Sequence, residues 1–130
     1  MKGPAIGSSM IEIKTSSQLQ IMRDGGRVVK EVLSLLRDSA QPGVTTLELD
    51  ELARVTFARL GSRSAFKGYR GYPAHICTSV NDEVVHGIPS RRKLKAGDII
   101  GIDVGSIVDG YYSDAAITVP VGQITAQIRD

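Results

Sequence analysis

Apolar residues recur at three- and four-residue spacing through Ile21, Val28, Val29, Val32, Leu35 and Leu36, the mark of a helix with one buried face. Ser17 followed by Gln20 spells a capping box ahead of them, so the pattern predicts a helix from about 18 to 39, stopped before Pro42-Gly43. Gly25 and Gly26 fall inside it, where each costs about 1 kcal/mol relative to alanine. Close packing of another element is the better reason for them than helix filling. A second capping box, Thr45 with Glu48, opens a helix reaching about Leu60, with Leu49, Leu52, Ala53, Val55 and Leu60 on its apolar side and Gly61 as its terminator.

From Ser64 onward the period changes. Gly68, Gly71 and Pro73 break the chain; Ile76 to Val80 then reads as a strand ended by an Asn81-Asp82 turn, and Glu83 to His86 as a short strand closed by Gly87-Ile88-Pro89. Asp98 to Gly105 is the apolar run of a buried strand. Asp109-Gly110 is a hairpin signal, and Tyr111 to Val119 has the β-branched and aromatic content of the return strand. Helices first and a sheet afterwards predict an α+β fold, two helices packed on an antiparallel sheet.

Composition narrows the function classes. Hydrophobic residues are 42% of the 130 and charged residues 23%, which excludes disorder, and no apolar run approaches the roughly 20 residues of a membrane-spanning helix. A net charge of +2 is too small for a nucleic-acid partner, and the basic clusters at Arg91-Arg92-Lys93 and around Arg63, Lys67 and Arg70 are short and interrupted, as in solvated loops. One cysteine, Cys77, forms no internal disulfide, and the chain starts without the basic-then-apolar pattern of a secretory signal, so a cytoplasmic location is the expectation. Met1 to Ser9 reads as a flexible leader or expression scar, and residues 10–130 as a single half domain.

Two acids interrupt the apolar texture. Asp103 lies between Ile102 and Val104, and Asp114 precedes Ala115-Ala116-Ile117; folding about Asp109-Gly110 sets them on adjacent antiparallel strands. Two carboxylates at close range need a shared proton, a basic partner or bound cations. Metal is the economical explanation, against the alternative in which each aspartate caps a turn or pairs with an arginine. His86, at a strand end before Gly87-Ile88-Pro89, has the placement of a donor to a substrate carbonyl or amide, and equally that of a structural histidine. His75 reads as solvent-facing or packing. Cys77 has no histidine and acid arranged around it for thiol catalysis and reads as a small buried residue.

The ordered set Gly71-Tyr72-Pro73, Cys77 to Asn81, Glu83 to Pro89, Leu94 to Gly105 and Asp109 to Asp114 resembles the type I methionine aminopeptidases in order and spacing, over about Ile11 to Thr125. The resemblance implies half of a pita-bread (creatinase/aminopeptidase) fold. It implies Asp103 and Asp114 as the first two ligands of a dinuclear site for cobalt, manganese or iron, and His86 as the histidine at the scissile amide. Phe66, Tyr69, Tyr72 and Cys77 become the lining of a pocket for the methionine side chain, and N-terminal methionine peptides the substrate. In the family the remaining ligands, a histidine and two glutamates, come from a second half that the chain lacks, so two aspartates are too few to hold two metals tightly. Two expectations follow: a metal-dependent aminopeptidase, weak or inactive as an isolated chain, or a catalytically silent binding module that self-associates, a homodimer replacing the missing half.

Overall fold

The computed structural model describes residues 15–82 and 87–122. Helix α1 spans Ser16–Ser39 and helix α2 Thr46–Arg59. The first cap stands two residues earlier than the sequence pattern places it: the Thr15 hydroxyl accepts from the Gln18 amide at 3.1 Å, and the Gln18 side chain accepts from the Thr15 amide at 2.8 Å. Thr15-Gln18 and Ser17-Gln20 carry the same spelling, and only the extended backbone at Thr15 (φ −72°, ψ 165°) selects between them. For α2 the Thr45-Glu48 box forms as expected. Its end is a Schellman closure, with Ser62 N bonded to Phe57 O, Gly61 N to Ala58 O, and Gly61 at φ 68°, where a side chain would be strained.

Among the described residues four antiparallel strands form one sheet: β1 (Arg63–Ser64), β2 (Cys77–Val80), β3 (Ile99–Val108) and β4 (Tyr111–Pro120). β3 is central, paired along its whole length with β4 on one side and with β1 and β2 on the other. Asp109 (φ 49°) and Gly110 (φ 83°) both take left-handed backbone, the geometry a two-residue hairpin needs to match strand twist. The short β1 and a tight turn over Tyr69–Gly71 carry no periodicity and are additions to the sequence reading. The expected strand over residues 83–86 lies outside the described residues, as does the leader.

Alternation sorts the sheet into two faces. Ile100, Ile102 and Val104 are fully buried and join Val29, Val32, Leu33 and Leu36 of α1 and Leu49, Ala53 and Phe57 of α2 in the core. Val55, expected on the apolar side of α2, is instead exposed, because the buried stripe runs through Thr46, Leu49, Asp50, Ala53, Thr56 and Phe57. Gly25 does allow close packing: a Cβ there would stand 2.8 Å from Ser113 Oγ, and Ser106 Oγ donates to the Gly25 carbonyl. Gly26 has nothing within 4 Å of such a Cβ, so that reason holds for one glycine of the pair.

Candidate active site

Pairing register carries both acids to one place. Asp103 is opposite Ala116 and Gly105 opposite Asp114, so the two aspartates are diagonal neighbours on the sheet face turned away from the helices. Diagonal Cβ atoms lie about 7–8 Å apart or less, within reach of a shared cation. Asp103 is half-buried and Asp114 exposed. Tyr112 stands beside them; burial pushes its phenol pKa up, and the charge of Asp114 adds to the rise.

Cys77 is the cross-strand partner of Asp103 on the opposite neighbour, β2. It opens onto a cavity of about 610 Å³ lined by Phe66, Tyr69, Arg70, Tyr72, Ile88 and Asp103, among others. Phe66, Tyr69, Tyr72 and Cys77 thus meet in a single pocket whose wall includes the first aspartate. Tyr72 packs edge-on against Phe66, with centroids 6.4 Å apart at 83°, and its hydroxyl donates to the Ile76 carbonyl at 2.9 Å. Burial raises the Tyr72 phenol well above its ordinary range, with Cys77 adding to the rise. Burial also pushes the Cys77 thiol up, the Tyr72 hydrogen bond opposes this, and the Asp103 charge adds to it. Both groups are held neutral, which suits an apolar side chain. At the pocket mouth Arg70 takes left-handed backbone (φ 50°, ψ 36°) and sets its guanidinium 5.4 Å from the centroid of the Tyr69 ring.

The loop forming this wall is pinned where it starts and where it ends. Ser64 Oγ donates to the His75 carbonyl at 2.7 Å and accepts from the Phe66 amide at 3.0 Å. Asp50, on the buried stripe of α2, accepts from the amides of His75 and Ile76 at 2.7 and 2.9 Å, and its second oxygen lies 3.1 Å from His75 Nδ1. His75 is therefore half-buried and bonded, neither solvent-facing nor mere packing. Sequence reading missed this pair; the available signal was a carboxylate one residue after Leu49 on the apolar side of a helix.

His86 lies outside the described residues. The next residue, Gly87, is joined to β2 through the Thr78 amide at 3.0 Å. Among the described residues no three His, Cys, Asp or Glu side chains converge on one point, so the carboxylate pair is the donor set in view. Carboxylate oxygens fit hard or borderline divalent cations. No helix among the described residues is long and apolar enough to cross a membrane.

Comparison with known proteins gives this geometry its context. The chain is 48% identical over 119 residues to a methionine aminopeptidase of Clostridium acetobutylicum, covering 91% of this chain and 48% of the relative. It is 47% identical to methionine aminopeptidase 1 of Bacillus subtilis, covering 89% and 47%. The crystal structure of methionine aminopeptidase from Rickettsia prowazekii superposes with a TM-score of 0.83 at 38% identity, over 92% of this chain and 48% of that one. The chain spans about half the length of the relatives it matches. Its α+β architecture is that of the N-terminal half of the pita-bread aminopeptidases. The metallopeptidase family M24 model matches residues 20–130, and on that match the chain belongs to this family, whose members work with divalent metal.

Proposed function

We propose that this chain is the pocket-bearing half of a metal-dependent methionine aminopeptidase, which removes the initiator methionine from new proteins in the cytoplasm. The observation that carries the reading is adjacency: Asp103 belongs both to the wall of the apolar pocket and to the carboxylate pair. A side chain seated among Phe66, Tyr69, Tyr72 and Cys77 would leave its own α-carbon, and so the first peptide bond, near Asp103 at the pocket wall. That geometry suits cleavage after the first residue.

In this reading Asp103 and Asp114 hold divalent cations, with cobalt, manganese or iron as the candidates from the family. Such ions supply a polarised carbonyl and an activated water. Phe66 and Tyr72 exclude water from the side chain, and the neutral Cys77 thiol adds a soft contact for a thioether. His86 takes the role of donor at the scissile amide by its match to the family's His-Gly-Ile-Pro motif. A histidine and two glutamates complete the ligand set in the family, so hydrolysis belongs to the protein that brings all five ligands together.

Calorimetric titration with manganese tests the site: heat is expected from the unmutated chain and none from Asp103→Ala. Release of methionine from a Met-Ala-Ser peptide, abolished by a chelator, tests the reaction. An athermal titration together with no chelator-sensitive release by the protein carrying this sequence would overturn the proposal.

A second reading, the silent module that self-associates, draws on β4. Among the described residues this strand pairs only with β3, and beside it runs a groove of mixed character, lined by Val29, Leu33 and Ile117 together with Lys30, Arg37 and Asp114. Sedimentation showing dimers whose manganese heat needs Asp114 of both copies, without peptide hydrolysis, would favour it.

A further inference from the structure

We infer that Asp50 is a positioning residue for the pocket: from α2, outside the pocket itself, its carboxylate holds the segment that carries Tyr72 and Cys77 in register. Asp50 is only 8% exposed and stands on a helix stripe otherwise made of Leu49, Ala53, Phe57 and two threonines, where a carboxylate is costly unless its lone pairs are filled. They are filled by one short segment. One oxygen takes the two successive amides of His75 and Ile76, and the other faces His75 Nδ1.

From there the constraint runs into the pocket in two steps. The Ile76 carbonyl accepts the Tyr72 hydroxyl, fixing the ring that packs against Phe66. Cys77, the next residue, starts β2 opposite Asp103. Ile76 itself is fully buried, so the segment has a fixed depth, and Asp50 sets its position along α2. Neither Asp50 nor His75 lines the pocket, so once the charge of Asp50, which also acts on Tyr72 and Cys77, is matched between variants, a change there alters binding by moving the wall.

Cys77 is the sole cysteine and sits in that wall, so its alkylation by iodoacetamide reads wall position directly. Three quantities are measured on the full chain carrying Asp50→Ala or Asp50→Asn: the labelling rate in native conditions, its slowing by L-methioninamide, and the unfolding free energy in urea. Both variants lose the same charge, so the electrostatic effect of Asp50 on the thiol cancels in their ratio. Asparagine keeps the oxygen that accepts both amides. Labelling is expected to be at least about tenfold faster in Asp50→Ala than in Asp50→Asn, the scale of losing hydrogen bonds to that oxygen. Protection by L-methioninamide should be lost in the alanine variant and restored in the asparagine one.

Equal labelling rates and equal protection in the two variants would overturn the inference and leave Asp50 as a stability residue seen only in urea. Should Asp50→Ala not fold, Asp50→Ser, whose short hydroxyl cannot replace the oxygen that takes both amides, stands in for it against Asp50→Asn: a rise of about two- to threefold is expected from one lost contact, and an equal rate overturns the inference. That the pocket takes a thioether rests on the function proposed above. If L-methioninamide fails to slow labelling of the unmutated protein, that function fails, while the alanine-to-asparagine ratio still judges Asp50.

Discussion

Two faces of a single strand obey different rules. On one side of β3, Ile100, Ile102 and Val104 are completely buried, each apolar and each in contact with the core built by α1 and α2. On the other side Gly101, Asp103 and Gly105 alternate with them: a carboxylate between two residues without side chains. The backbone is common to both, so the difference lies in what each side must meet. The helix side needs only apolar volume, which many residues supply. The outer side needs particular groups at particular distances, and Gly105 leaves room for one of them: a Cβ there would come 3.0 Å from the Phe66 ring. Stability should therefore be concentrated on the first face and binding on the second.

The largest effect expected from this division is on the helix side. Ile102→Ala empties space at a fully buried position and should cost about 2–5 kcal/mol in urea unfolding. Pocket and acids should work normally in whatever fraction stays folded. A cost below about 0.5 kcal/mol, the range of ordinary surface changes, would remove the distinction between the faces.

Gly105→Ala comes next and crosses from one quantity to the other. The added methyl meets Phe66 Cε1 at 3.0 Å and Ala65 Cβ at 3.3 Å, so something must shift. Phe66 borders the open pocket and has space to swing into it. Stability should fall by only about 1 kcal/mol, the low end for overpacking. Occupancy of the pocket should suffer more: protection of Cys77 by L-methioninamide is expected to need about tenfold more ligand, equivalent to 1.4 kcal/mol. Equal losses in stability and protection would show that Phe66 is held too firmly to enter the pocket.

What the amino-acid sequence made legible follows the same line. The helices, the β3-β4 hairpin and the buried side of β3 were readable because period and turn chemistry act locally: Thr45-Glu48, Gly61 and Asp109-Gly110 each specify their own backbone. Asp103 and Asp114 were readable because an acid in an apolar strand is anomalous, and the hairpin fixes their register. Asp50 and His75 were not, because their partnership spans 25 residues and joins a helix to a loop without periodicity. The start of α1 was misread by two residues because two neighbouring spellings of one capping box compete locally. Only the resemblance to aminopeptidases gathered Phe66, Tyr69, Tyr72 and Cys77 into one pocket; nothing in their spacing did so.

The smallest effect on folding is expected where the effect on binding is complete. Asp114 is exposed, on the outer face of β4, with another carboxylate diagonal to it across the hairpin. Asp114→Asn keeps the shape and removes a charge, so without metal its unfolding free energy should stay within about 0.5 kcal/mol of the parent, as for surface changes generally. Manganese separates the two proteins. A ligand that binds only the folded state stabilises it by about 2.7 kcal/mol at a hundred times its dissociation constant. The unmutated chain should therefore unfold at higher urea as manganese is added, and the asparagine variant should not respond. A parallel rise in both would place the cation away from the acidic pair, and the outer face of the sheet would lose its claim to be the site.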